Sequence, residues 1–365
     1  EEFEQMEDGT IMFGAPTPPV DNTDFYSNLA EELDSSELSI IKNDLMANVD
    51  SDKDSRSDWE KTYREGLEQL GMKYEERTQP FEGASGVMHP LLAESVTQFQ
   101  AQAYNELLPS QGPVKTQVLG MTTAESEQQA SRVQEFMNYQ LMQVMKEYDS
   151  ETDQMLFYLP LSGSAFRKVY YDQNLDRAVS KFIPSEDLIV PYSATDLHSA
   201  TRITHVIDMS LNDIKKLQQV GFYRDVNISM GNIMADDYDE IQEEIDELQG
   251  VSPNYNDTDT CKVYEIHTEL DILGFEDLDS EGEPTEIKLP YIVTIANDKV
   301  LSIRRNYKET DPLKQRINYF VHYKFLPGLG FYGFGLTHMI GGLSKASTSI
   351  LRQLIDSGTL SNLPA

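Results

Sequence analysis

One cysteine, Cys261, is all that these 365 residues contain, so a disulfide scaffold and a cysteine-based zinc site are both excluded. Cations are scarce too: 29 Lys+Arg stand against 62 Asp+Glu, a net charge of −33. So negative a surface repels phosphates, which excludes nucleic-acid binding by bulk attraction. No apolar run approaches the roughly 20 residues that a membrane-spanning helix needs. The first residues given lack the basic, apolar-cored pattern of a secretory signal. A G-x-x-x-x-G-K-S/T phosphate loop is absent, so no ATPase is expected. Gly163-Ser164-Ala165 lacks the flanking glycines of a nucleophile elbow. The six histidines, His89, His198, His205, His267, His322 and His338, have no metal-ligand spacing among them. No catalytic, cofactor or metal site is expected.

What is present is unevenly distributed. Residues 1–60 hold 17 carboxylates against 3 cations, and 225–286 hold 20 against 1. Together they concentrate 37 of the 62 acids in a third of the chain, the pattern of solvated or flexible segments. The chain opens at Glu1 and closes at Asn362-Leu363-Pro364-Ala365 just after a strong helix, and reads as a portion of something longer. Residues 1–54, with Ala15-Pro16-Thr17-Pro18-Pro19 and little periodicity, read as an extended acidic arm.

Helical signals begin at Ser57, where Glu60 three residues on matches a capping box. Helices are expected from Leu91 to Leu108, after a Thr122 or Thr123 cap, and over 151–162. From Ala165 the period shortens to two. Phe166–Tyr171 and Ala178–Ile183 read as a hairpin, and Ile203–Asp208 as another strand. Ser210 caps a helix towards Val220, with Gly221 beyond it, and the acidic 236–248 stretch also reads as helical. Strands are expected at 262–267, 290–295, 300–303 and 317–325, with a polar tip at 279–283. One long helix, about Tyr332 to Ser357, closes the chain and would span roughly 39 Å.

Two motifs look chemical and fail on spacing. Gly328-Leu329-Gly330-Phe331-Tyr332-Gly333 spells G-x-G-x-x-G, but Asp356 at the acidic position lies within the same helix and no second strand follows. A glycine-rich corner admitting a long helix is the plainer reading. Asp277-Leu278-Asp279-Ser280-Glu281-Gly282 starts like a calcium loop, yet the twelfth position is Lys288 instead of glutamate.

Two features stand out instead. Residues 299–324 gather Lys299, Arg304, Arg305, Lys308, Lys314, Arg316 and Lys324 against only Glu309 and Asp311. The cluster reads as a basic pocket in an acidic protein; a solvated strand face or an interface with the acidic 225–286 segment is the plainer alternative. In the last helix, Leu336, Ile340, Leu343, Ser347, Leu351 and Leu354 form a stripe, and small residues such as Gly341, Gly342 and Ser344 permit close backbone approach. His338, Lys345 and Arg352 repeat every seven residues and share a face. The pattern suits a helix packed against copies of itself with a cationic edge, and equally an ordinary core helix.

The corner Tyr323-Lys324-Phe325-Leu326-Pro327-Gly328-Leu329-Gly330-Phe331-Tyr332-Gly333, the helix ending Gly358-Thr359-Leu360-Ser361-Asn362-Leu363-Pro364-Ala365 and the order of elements resemble the portal (head-to-tail connector) proteins of short-tailed bacteriophages. The likeness covers most of 55–365 and is most specific at 319–365. It implies an α+β portal fold assembled as a dodecameric ring at one capsid vertex, a structural and non-enzymatic part of the virion assembled in the host cytoplasm. Mapped onto this chain, 1–54 is the arm, 55–209 the wing and 210–254 the first stem helix with the acidic segment. Residues 255–328 are the clip and 329–365 the second stem helix, before a channel loop, further wing and crown that such proteins carry.

The implied partners are other copies, the major capsid protein and scaffold, the terminase large subunit, the tail adaptor and double-stranded DNA in the channel; no membrane is implied. His338, Lys345 and Arg352 become expected DNA-channel contacts. Lys299, Arg304, Arg305, Lys308, Lys314 and Arg316 become the motor or adaptor docking surface, and the apolar stripe the stem packing. The alternatives are another ring-forming virion adaptor, or a nucleotide-binding enzyme using the Gly328–Gly333 corner.

Overall fold

The computed structural model describes residues 25–71, 76–172, 175–228, 240–251, 260–278, 284–285 and 287–362. In chain order these form α1 (Ser35–Ser55), α2 (Ser57–Glu68), α3 (Leu91–Leu107), α4 (Ala124–Tyr139), a π-turn at Gln140–Val144 and α5 (Tyr148–Ser162). Strands β1 (Ser164–Asp172), β2 (Arg177–Ile183), β3 (Leu188–Ile189) and β4 (Arg202–Ser210) follow. Then come α6 (Leu211–Gln219), α7 (Glu240–Gln249), β5 (Thr260–Leu270), β6 (Leu289–Ala296), β7 (Lys299–Arg305), β8 (Phe320–Lys324) and α8 (Leu336–Asn362). The architecture is α+β. Two compact units divide it: residues 46–207, 230–258 and 318–365 form the larger, and 1–45, 208–229 and 259–317 the smaller.

In the larger unit the chemistry of single residues sets the element ends. Thr123 accepts the Ser126 N–H while the Ser126 hydroxyl returns to Thr123, a reciprocal cap that starts α4. Gly163, at φ 84°, ends α5 in the left-handed region. Strand β1 is the centre of an antiparallel sheet ordered β2-β1-β8, with Phe166 opposite Ile183 on one side and His322 on the other. Met155, Leu156 and Leu159 of α5 pack on Ala165 and Phe182 of this sheet, and two further cores lie beside it. Tyr63, Leu67, Leu92, Leu161 and Ile241 bring α2, α3, α5 and α7 together, with Leu336 and Ile340 of α8 packed against them. Phe166, Ile183, Leu188, Ile203, Phe320 and Phe331 fill the other. Trp59 stacks between Tyr63 and Tyr332, and the buried Arg56 guanidinium reaches the Leu188 carbonyl at 2.9 Å.

The smaller unit is built on an antiparallel run β5-β6-β7, with Ile266 opposite Val293 and Val293 opposite Ile303. The β6–β7 turn puts Asn297 and Asp298 at positive φ. The outer edge of β7 is closed by a side chain: Asn28 Nδ2 donates to the Leu301 carbonyl at 3.1 Å, and Asn28 Oδ1 accepts the Ile303 N–H at 3.0 Å. Arg224 N–H also donates to the Leu301 carbonyl, at 2.9 Å.

Several expectations change. Residues 35–55 are helical, not extended: Leu38, Leu45 and Val49 are buried along one side of α1. Residues 1–24 of the expected arm and the 279–283 tip lie outside the described residues. The expected capping box at Ser57 does not form; Arg56 holds the N-cap position, and Glu60 instead accepts from Arg56 Nε at 2.8 Å. The 210–254 stretch, read as the first stem helix with the acidic segment, holds two separate helices, α6 and α7. Ser210 caps α6, but the helix stops before Gly221 at φ 76°, and α7 belongs to the other unit. Within the expected 255–328 clip, the smaller unit ends at Ile317, and β8 pairs with β1 in the larger one.

Candidate functional site

The glycine-rich corner is a packing joint. A Cβ on Gly333 would lie 2.4 Å from the Gly163 carbonyl oxygen, and one on Gly335 2.5 Å from that of Leu161. Glycine is therefore required where the corner crosses the end of α5. Gly333 N–H donates to Ser164 Oγ at 2.8 Å, and His322 Nε2 lies 3.1 Å from the same oxygen. Burial, with a smaller contribution from Lys324, lowers the His322 pKa to about 3. The corner faces its own backbone at Gly328, Gly333 and Gly335. The tip around Leu329 and Gly330 is open, and Leu326 beside it is exposed.

From this joint α8 runs 27 residues, about 40 Å. Its inward face is small and polar. Thr337 donates to the Leu161 carbonyl at 3.1 Å, and Gly341 and Ser344 are buried after it. Three successive turns then pair with one edge of the extended segment 85–89. Thr348 Oγ1 accepts the His89 N–H at 3.0 Å, and Arg352 Nε donates to the Val87 carbonyl at 2.8 Å. Asp356 Oδ1 accepts the Ser85 N–H at 2.7 Å. The spacing explains the match: four helical residues rise about 6 Å, and two extended residues advance roughly 6.6 Å. The helix side chains take the place of a neighbouring strand.

Its outward face is apolar. The expected stripe divides: Leu336 and Ile340 pack into the core, Ser347 and Leu351 are half-buried, and Leu343 and Leu354 are 61% and 69% exposed. Met339 and Ile350 join the exposed set. Of the small residues that read as suited to close approach between copies, Gly341 and Ser344 pack within the subunit, whereas Gly342 is exposed with nothing within 4 Å of an added Cβ.

His338, Lys345 and Arg352 share one side of α8, but each is engaged. His338 Nδ1 accepts the Gly335 N–H at 3.2 Å, and burial pushes its pKa down. Lys345 Nζ lies 2.6 Å from Glu65 Oε2, and this contact lowers the Glu65 carboxyl pKa. Lys345 and Arg352 border a groove of about 830 Å³ together with Arg77, Phe81, Gln353 and Asp356.

The basic cluster disperses on folding. Arg304 lies over the Phe222 ring and donates to the carbonyls of Tyr26 and Phe222 at 2.7 and 2.8 Å. Arg305 stacks on Phe25 and donates to its carbonyl at 2.7 Å. Lys314 is bound by Asp277, and Arg316 is half-buried near Glu269. Lys299 and Lys308 are exposed. Asp277, the first residue of the calcium-like loop, is committed to Lys314 and to the Thr285 hydroxyl. Among the described residues no group of three or more His, Cys, Asp or Glu is placed to hold a metal ion.

Sequence reasoning missed α4 as a surface. No residue of α4 is buried, yet Val133, Phe136 and Met137 are exposed, as is Met142 in the π-turn beyond it. Its inward side repeats the α8 device: Asn138 Oδ1 accepts the Val114 N–H at 2.9 Å, and Gln134 Oε1 the Thr116 N–H at 3.2 Å. The signal was legible as polar residues four apart beside an apolar face.

Residues 167–365, just over half of the chain, match the family model described as the phage SU10 portal protein. No curated protein matches the chain.

Proposed function

Because the chain belongs to the phage SU10 portal protein family, we propose that it is a portal subunit assembling as a dodecameric ring at one capsid vertex and conducting double-stranded DNA. The observation that carries this reading is the family match over 167–365, which takes in the whole of α8. The family is structural, and its place is the virion capsid. In this reading the ring meets the major capsid protein and scaffold during assembly in the host cytoplasm. It docks the terminase large subunit while DNA enters, and the tail adaptor afterwards.

Charge supports the conducting role. Each phosphate neutralised by a cation strengthens the hold on DNA, so a ring that bound tightly would stall the duplex. At −33 per chain the surface is mainly repulsive. Lys345 and Arg352 are the proposed transient contacts. The Lys345–Glu65 pair is substantially exposed, and exposed pairs are weak because water screens them, so a passing phosphate can displace the carboxylate. The outward face of α8 is the proposed stem-packing surface. Docking of motor and adaptor falls to Lys299 and Lys308, because Arg304, Arg305 and Lys314 are committed within their own unit.

The native mass of the protein at low and at moderate salt tests the reading. A closed assembly near the dodecamer is expected at both; a monomer at both would overturn it.

A further inference from the structure

The two ends of α8 are held by different chemistry. Its first turns are anchored by apolar burial: Leu336 and Ile340 pack into the core of α2, α3, α5 and α7, and Thr337 donates to the Leu161 carbonyl. Beyond Gly341 the helix buries only Ser344, Thr348 and Asp356. That half is held by polar contacts, the Lys345–Glu65 pair and the rungs from Thr348, Arg352 and Asp356 to residues 85–89. Beside the rungs lies an open groove, lined by Arg77, Phe81 and Met88 from the 77–88 stretch and by Lys345, Arg352 and Gln353 from the helix. A segment that buries no apolar side chain lies at the low-stability end of a fold.

The change falls at a pair of glycines. Gly341 is explained by packing, since a Cβ there would lie 3.3 Å from Gln69 Oε1. Gly342 is not. Its φ is not positive, and an added Cβ would meet nothing within 4 Å. A glycine that neither space nor backbone demands weakens the helix without a packing gain, because it loses more backbone freedom on ordering than alanine does. Sharp bends in helices concentrate at proline and at glycine and serine. The buried side of the joint is also unsettled: Gln69 Oε1, beside Gly341, is buried without a hydrogen bond, which disfavours the straight arrangement.

We propose that α8 is a jointed strap, whose half beyond Gly342 unclasps from residues 85–89 and swings on the glycine pair while the core around Leu336 and Ile340 stays closed. The swing widens the groove and moves the exposed Ile350 and Leu354 relative to Met339 and Leu343. The inference goes beyond the ring reading and needs no second copy.

Hydrogen exchange of the full chain tests it. A swing breaks the helix bonds that cross the glycines, those donated by residues 343–345, together with the Ser85 and His89 N–H bonds to Asp356 and Thr348. Gly342→Ala, at an exposed position, should slow exchange at 343–345, Ser85 and His89 alike, by about five-fold, and leave Leu92 and Leu161 in the core unchanged. Asp356→Ala, which removes one rung, should speed exchange at His89 and 343–345 as well as at Ser85. A response confined to the neighbours of position 342 in the first variant, or to Ser85 in the second, overturns the proposal, because joint and rungs would then open separately. Equal slowing at Leu92 and Leu161 in Gly342→Ala also overturns it, as the helix would then be opening with the whole unit.

Discussion

The carboxylate of Asp356, deep in the last helix, accepts the backbone N–H of Ser85 at 2.7 Å from a segment 271 positions earlier. It is the far rung of the Thr348–Arg352–Asp356 ladder that holds α8 to residues 85–89. Asp356→Ala leaves a buried N–H unpaired, and about 1–3 kcal/mol of stability should be lost. Asp356→Asn keeps an acceptor oxygen and should lose less. Chemical denaturation of the two variants checks the order; equal losses would show that the ladder contributes nothing specific.

The glycine joint makes a sharper claim. Gly333→Ala and Gly335→Ala force a methyl against a carbonyl oxygen and should cost about 3 kcal/mol or more. Gly330→Ala, with nothing within 4 Å of the added carbon, should be tolerated. Thermal melts of the three separate a packing joint from a ligand loop. A ligand loop would leave Gly333→Ala folded.

Arg304→Glu and Arg305→Glu should disrupt the smaller unit, since the first loses bonds to Tyr26 and Phe222 and the second its bond to Phe25. Lys299→Glu with Lys308→Glu should leave circular dichroism and melting unchanged while weakening capture of the tail adaptor several-fold. Undiminished capture by the double lysine variant would remove these residues from the docking surface.

His322 gives a pH signature. Its folded pKa of about 3 lies below the unfolded value near 6.5, so between these limits the unfolded chain binds the additional proton. The contribution is fully present above pH 6.5 and is lost as pH falls towards 3, amounting to a few kcal/mol. His322→Phe should flatten the stability profile between pH 6 and 4, roughly. A slope equal to that of the parent chain would place the titration elsewhere.

Much of this architecture was legible in advance. The Thr123 cap, the β1–β2 hairpin, β5 to β7 and the closing helix all follow from local periodicity and turn chemistry. Helix α1 was missed although Leu38, Leu45 and Val49 carry the spacing, because its Ser- and Asp-rich composition masked the pattern. The orientation of α8 was not legible at all. Whether Gly341 and Ser344 face a copy or the same subunit depends on Gln69 and residues 85–89, hundreds of positions away. The dispersal of the 299–324 cations has the same origin: carbonyls of Phe25, Tyr26 and Phe222 that no local pattern announces.

The side-chain amide of Asn28, bonded to both Leu301 and Ile303, stands where the peptide group of a further strand would stand. An uncovered strand is a template for endless addition, and the danger grows with the number of identical sheets held close together. By ending β7 with a counterfeit peptide, the chain blocks the addition of a further strand at this edge.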